Sequence, residues 1–192
     1  MKNKHTLPCA QPNPSGLSRR NFLKTLTGTA AGIGISQVFN PALLQALEKG
    51  LERHPVLWIQ GQGCTGCSVS LLNSVDPKIA DVLLKVISLQ FHPTVSECEG
   101  EMAMKHVYDV AREYKGRFSL AIEGSIPVAA DGKYCILGEI GHKEITMMDM
   151  VQELAPMSGS VLAVGTCAAF GGIPAARGNV TGATGVRDFF ES

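Results

Sequence analysis

Acidic residues are absent from the first 47 positions of this 192-residue chain, while five bases (Lys2, Lys4, Arg19, Arg20 and Lys24) fall within the first 24. The formal charge of zero therefore hides an uneven distribution, and the remainder holds 12 bases against 17 acids. A body with that acidic surplus repels phosphate backbones, which argues against nucleic acid as a partner. Long apolar runs are also missing. The longest soft stretch, Thr25 to Phe39, is about 15 residues rich in Gly, Ala and Thr, too short for a hydrocarbon layer of roughly 30 Å. A polytopic membrane protein is thus excluded. There is no internal repeat and no low-complexity tract. With 45% hydrophobic and 18% charged residues, the chain is neither a disordered polymer nor collagen-like. What remains is enough chain for one domain with a sizeable core.

Ser18-Arg19-Arg20-Asn21-Phe22-Leu23-Lys24 precedes the soft apolar stretch. A basic head before a short apolar run is the logic of an export signal, and the paired arginines resemble the twin-arginine type. The alternative is a basic amphipathic helix lying on a membrane surface. The expectation is a signal region over residues 1–47 and a periplasmic destination, with membrane association left open. No clean Ala-x-Ala marks a cleavage point before Glu48. The twin-arginine route carries folded proteins, often with a metal cofactor already installed.

From Pro55 onward short β-rich runs alternate with helical periods. Strands are predicted at Val56–Gln60, Val86–Phe91, Phe118–Ile122, Lys133–Leu137 and Val161–Val164. Helices are predicted from Cys67 to Leu72, Lys78 to Leu84, Glu101 to Tyr114 and Ile145 to Leu154, with a last one starting near Thr184. This alternation implies an α/β fold, a doubly wound and mainly parallel sheet covered on both faces. Ligands of such sheets bind at the carboxyl ends of the strands. Gly61-Gln62-Gly63-Cys64-Thr65-Gly66-Cys67 follows the first strand, Glu123-Gly124-Ser125 the third, and Gly165-Thr166-Cys167-Ala168 the last. Three cysteines therefore fall on one sheet edge, in loops made tight by glycine.

Three chemistries compete for this edge. Gly61-x-Gly63-x-x-Gly66 matches a dinucleotide fingerprint, but the acid it requires is missing from the end of the second strand: Asp81 lies in a helical stretch and Glu97 beyond Phe91. Cys64-Thr65-Gly66-Cys67 between strand and helix is also how a thiol oxidoreductase places its redox pair, though that mechanism has no use for Cys167. The third chemistry is metal ligation. Cys-x-x-Cys serves zinc and iron–sulfur clusters alike; the surrounding glycines favour a cluster, whose sulfides accept hydrogen bonds from exposed backbone N–H groups.

Trp58-Ile59-Gln60-Gly61-Gln62-Gly63-Cys64-Thr65-Gly66-Cys67-Ser68, Glu123-Gly124-Ser125-Ile126-Pro127 and Gly165-Thr166-Cys167-Ala168 with Gly171-Gly172-Ile173-Pro174 resemble, in order, the small electron-transferring subunit of periplasmic nickel–iron hydrogenases. The similarity runs over residues 18–192. Ala130-Asp131-Gly132-Lys133-Tyr134-Cys135 and the Gly-Gly-Ile-Pro-Ala run are most like the nickel–iron–selenium branch. The resemblance implies a flavodoxin-like domain over residues 48–192 holding a proximal 4Fe–4S cluster. It also implies a large-subunit partner whose nickel–iron site splits dihydrogen, and an outward acceptor such as a multihaem c-type cytochrome. Cys64, Cys67 and Cys167 would be cluster ligands. Gly66 stands where the oxygen-tolerant branch has an extra cysteine, so an ordinary cubane is implied. The family's fourth ligand lies in a Pro-Gly-Cys-Pro-Pro segment, expected beyond Ser192, as is the domain holding medial and distal clusters. The chain is accordingly expected to be an N-terminal fragment. The alternative in a different class is a truncated docking module that transfers nothing.

The other cysteines and the histidines are read more plainly. Cys98 could reach the site but is flanked by Glu97 and Glu99, which disfavour a thiolate. Cys135 suits a buried small hydrophobe, and Cys9 lies in the signal. His5, His54, His92, His106 and His142 show no metal spacing and default to surface or packing roles. Met147, Met148 and Met150 are expected in the core or at a subunit contact.

Overall fold

The structure is a computed structural model, and it describes residues 53–191. The twin-arginine segment lies outside the described residues. The chain leads with strand β1 (His54–Gln60), helix α1 (Gly66–Leu72) and helix α2 (Ile79–Asp81), which runs into a π-helical turn at Val82–Val86. Strand β2 (Ile87–Phe91), helix α3 (Gly100–Glu113) and strand β3 (Ser119–Glu123) follow. Then come β4 (Ile126–Pro127), β5 (Ile136–Ile140), β6 (Lys143–Thr146), helix α4 (Met147–Leu154) and β7 (Ser160–Val164). Helix α5 (Gly165–Phe170), β8 (Ala183–Thr184) and helix α6 (Val186–Glu191) complete the order.

The main sheet has the order β2-β1-β3-β7 with every pair parallel. Counting only its own strands the order is 2-1-3-4, that of flavodoxin-like doubly wound folds, so the predicted α/β class is what the chain adopts. The chain leaves β1 toward β2 on one side and later returns to β3 on the other. That reversal opens a crevice at the carboxyl ends of β1 and β3, where the register pairs Gln60 with Glu123 and Glu123 with Val164.

Alternation along the central strands separates two layers of side chains. Leu57, Ile59, Leu120 and Ile122 are at most 1% exposed and meet Val107 of α3 and Met147, Met150, Val151 and Leu154 of α4 in the main core. Burying each such side chain contributes about 1.5–3 kcal/mol. The opposite face carries Val56, Trp58 and Ala121 packed with Leu71, Ile87, Leu89 and Val164. Of Met147, Met148 and Met150, the first and last lie in the core and Met148 packs against it.

Most predicted boundaries shift by a residue or two, and the shifts between β4 and α4 change the elements themselves. The strand predicted at Lys133–Leu137 starts later, at Ile136, and the helix predicted from Ile145 starts at Met147. Between them is a β5–β6 hairpin whose two-residue turn, Gly141-His142, has positive φ at both positions (55° and 68°). That is the type I′ geometry that matches strand twist. Thr146 then closes β6 and caps α4: its Oγ1 accepts from Asp149 N at 3.0 Å, and Asp149 Oδ2 accepts from Thr146 N at 3.2 Å. Cys167 also sits differently from its predicted loop. It lies inside α5, which begins directly after β7.

Candidate functional site

The turn after β1 is zipped to the turn after β3. Gly61 N donates to Glu123 O at 2.7 Å, Gln62 N to Ser125 O at 3.0 Å, and Ser125 N back to Gln62 O at 2.8 Å. Two glycines make this approach possible. A Cβ on Gly61 would collide with Ser125 O, and one on Gly124, at φ +82°, would lie 2.7 Å from Gln62 O. Of the apparent dinucleotide fingerprint, Gly61 and Gly63 thus serve loop-on-loop packing, a Cβ on Gly63 lying 3.2 Å from Gly124 Cα.

Glu123 fills the position a phosphate would need. Its Oε1 accepts from Cys67 N and Ser68 N, both at 3.1 Å, at the start of α1. Its Oε2 accepts from Trp58 Nε1 at 3.0 Å and from the Ser68 hydroxyl. Glu123 is 2% exposed, and its two carboxyl oxygens accept from four donors, as a carboxylate does. A second anion at this helix start would meet that charge, which removes the dinucleotide reading.

The three cysteines lie on one edge of the sheet, near enough for Cys64 and Cys167 to act electrostatically on Cys67. Cys64 is exposed at the mouth of the turn, and Cys67 stands in the first turn of α1. A Cβ on Gly165, at φ +82°, would collide with Cys67 Sγ, so the β7–α5 turn rests directly on that sulfur. One on Gly66 would lie 3.0 Å from Cys64 Sγ, and one on Gly172, at φ +55°, 2.6 Å from Cys167 Sγ. Three glycines therefore let the backbone pack directly against three sulfurs. Burial pushes the Cys67 thiol up, and the charges of Glu123, Cys64 and Cys167 push it further in the same direction. An electron-poor centre bound between the sulfurs would relieve the same repulsion. Among the described residues no three of His, Cys, Asp and Glu close on one point as around a single metal ion. In a cubane each thiolate binds its own iron, so the sulfurs stand apart around it. The donor set, three thiols on one sheet edge, suits that larger group.

Cys98 is disulfide-bonded and offers no free thiol. Cys135 is partly buried, its thiol pushed up by desolvation, and lines an apolar cavity of about 290 Å³ with Phe91, Met104 and Met150. His54 Nε2 meets Ser119 Oγ at 2.7 Å, and His106 Nε2 meets Gln90 O at 3.1 Å, both structural contacts. Glu123 and Ser68 are residues that sequence reasoning left without a role, and His92 is one that it left to the surface or to packing. The one available signal was an acid ending an otherwise apolar strand.

A profile of the family described as NADH ubiquinone oxidoreductase, 20 Kd subunit, matches residues 64–191, a span containing all three cysteines and Glu123. The chain belongs to this family. Among this family member's relatives, the periplasmic NiFeSe hydrogenase small subunit of Desulfomicrobium baculatum is 55% identical over 179 residues, 91% of this chain and 57% of that protein. The uptake hydrogenase small subunit of Azotobacter vinelandii is 39% identical, over 86% of this chain and 45% of the relative. Among solved structures, the recombinant NiFeSe hydrogenase from Desulfovibrio vulgaris Hildenborough in the oxidised state matches with a TM-score of 0.71 and 66% identity, over 73% of this chain and 50% of that one. The resemblance read from the glycine–cysteine segments, including its nickel–iron–selenium leaning, agrees with these relatives. The chain spans about half the length of the relatives it matches.

Proposed function

We propose that this chain is the proximal-cluster portion of a hydrogenase small subunit, an electron-transfer component of an oxidoreductase acting on dihydrogen. The observation that carries the proposal is the placement of Cys64, Cys67 and Cys167 on one edge of a hydrogenase-like sheet, with glycine against each sulfur. These three thiolates would hold a 4Fe–4S cluster, with a fourth ligand from a segment following Ser192. When bound, the cluster accepts and releases single electrons.

The chain's own residues prepare the site. Gly61 and Gly124 lock the two turns together, so Cys64 and Cys67 are presented on a rigid edge rather than a mobile loop. Glu123 holds the start of α1 through the Cys67 and Ser68 amides, which orients the Cys67 side chain toward Gly165. Exposed Cys64 marks the side from which a large subunit carrying the nickel–iron site would dock. A c-type cytochrome is the proposed outward acceptor, and the twin-arginine segment the proposed route to the periplasm. The periplasmic names of relatives support that destination. Among the described residues no helix is long and apolar enough to cross a membrane.

The test uses the full-length chain assembled with its large subunit. Cys64→Ala should abolish the electron paramagnetic resonance signal of the proximal cluster while the polypeptides still associate. An unchanged spectrum would end the assignment.

A further inference from the structure

A directed chain of hydrogen bonds leads away from Glu123 into the protein. Thr94 N donates to His92 Nδ1 at 3.2 Å, and Thr94 Oγ1 lies 3.0 Å from the same nitrogen. A backbone N–H can only donate, so Nδ1 is the lone-pair nitrogen and the ring proton is on Nε2. His92 Nε2 lies 3.0 Å from Ser68 Oγ, to which it therefore donates. The Ser68 hydroxyl in turn donates a hydrogen bond to Glu123 Oε2. His92 and Ser68 are 4% and 1% exposed, and Trp58 packs against the His92 ring with centroids 5.2 Å apart.

We propose that His92 is a positioning residue that acts through Ser68 to hold Glu123 on the Cys67 amide, and so keeps the reduction potential of the group bound at Cys67 low. The inference rests on the cluster assignment above. Two effects act in the same sense. The carboxylate sets a fixed negative charge beside the cysteine turn, and it consumes an N–H that would otherwise be free for the cluster's sulfur. Charge and hydrogen bonds to sulfur are the protein's two main controls on such potentials. Loosening Glu123 moves the charge away and frees the amide, so both effects raise the potential.

The experiment is a redox titration of the proximal cluster, followed by electron paramagnetic resonance, in the full-length chain assembled with its large subunit. Ser68→Ala and His92→Leu should each raise the potential, changing the reduced-to-oxidised ratio at fixed ambient potential by up to tenfold, about 59 mV for a one-electron couple. His92→Gln, which keeps an N–H within reach of Ser68, should restore the wild-type value. The double variant Ser68→Ala/His92→Leu should shift no further than Ser68→Ala alone, because the two residues act in series. If His92→Leu fails to assemble, Ser68→Ala and His92→Gln decide the matter. Unmoved potentials beside a normal wild-type signal, or additive shifts, would overturn this inference alone. A wild-type assembly without any cluster signal would overturn the cluster assignment and this inference with it.

Discussion

At the scale of single residues, the site depends on side chains that are absent as much as on those present. Gly165 combines φ +82° with a sulfur where its Cβ would go, so Gly165→Ala strains the backbone and displaces Cys67 at once. The expected result is a full-length assembly with sharply reduced iron content and a folded far-ultraviolet circular dichroism spectrum; undiminished iron would contradict the packing argument. Glu123→Gln is a different kind of change. The amide presents its NH2 to at least one of the donors Cys67 N, Ser68 N or Trp58 Nε1, leaving that donor unpaired in a buried site. A buried unsatisfied donor costs about 1–3 kcal/mol, which chemical denaturation should show as a lowered midpoint. Glu123 was not legible as a hub. Its partners come from positions 58, 67 and 68, brought to it by the parallel β1–β3 register rather than by any spacing along the chain. The Cys64–Cys67 pair was legible because its chemistry is local.

At the scale of elements, periodicity was a good guide where packing agreed with it. Met104, Val107, Val110 and Ala111 recur at helical spacing in α3 and are all buried, so pattern and structure coincide there. The four main strands coincide within a residue or two for the same reason: each is an apolar run between two turns. The β5–β6 hairpin escaped notice because its turn is Gly-His rather than Asn-Gly, and because Ile145 also fits the helical period of α4. The element boundary there is set by Thr146, whose reciprocal bonds with Asp149 satisfy two amides at the start of α4. Thr146→Ala should cost about 1 kcal/mol by denaturant titration, with no change in the cluster's spectrum. A spectral change would mean that α4 is coupled to the cysteine edge more closely than the core packing implies.

At the scale of the whole molecule, the sheet brings thiols from positions 64, 67 and 167 to one edge, and it also buries a histidine near them. Burial holds the His92 imidazole below its ordinary value of 6.5, partly opposed by the Glu123 charge. Above that value the histidine is neutral in both the folded and unfolded chain and contributes nothing to pH dependence. As pH falls through it, the unfolded chain takes up a proton that the folded chain refuses, so stability declines. Thermal midpoints of the full-length chain should therefore drop between pH 7 and pH 5, and the drop should be smaller in His92→Gln. An equal drop in both would place the acid sensitivity elsewhere. The fold class and the shared cysteine edge followed from alternation and glycine placement, whereas the buried polar network behind that edge required three dimensions.

The central claim is that Cys64, Cys67 and Cys167 bind one iron–sulfur group between them. Anomalous diffraction at the iron absorption edge, on crystals of the full-length small subunit with its large subunit, tests it directly. The account predicts iron density bonded to all three sulfurs at the carboxyl ends of β1 and β7. Iron found only elsewhere in the assembly, with the three sulfurs bonded to nothing, would contradict it.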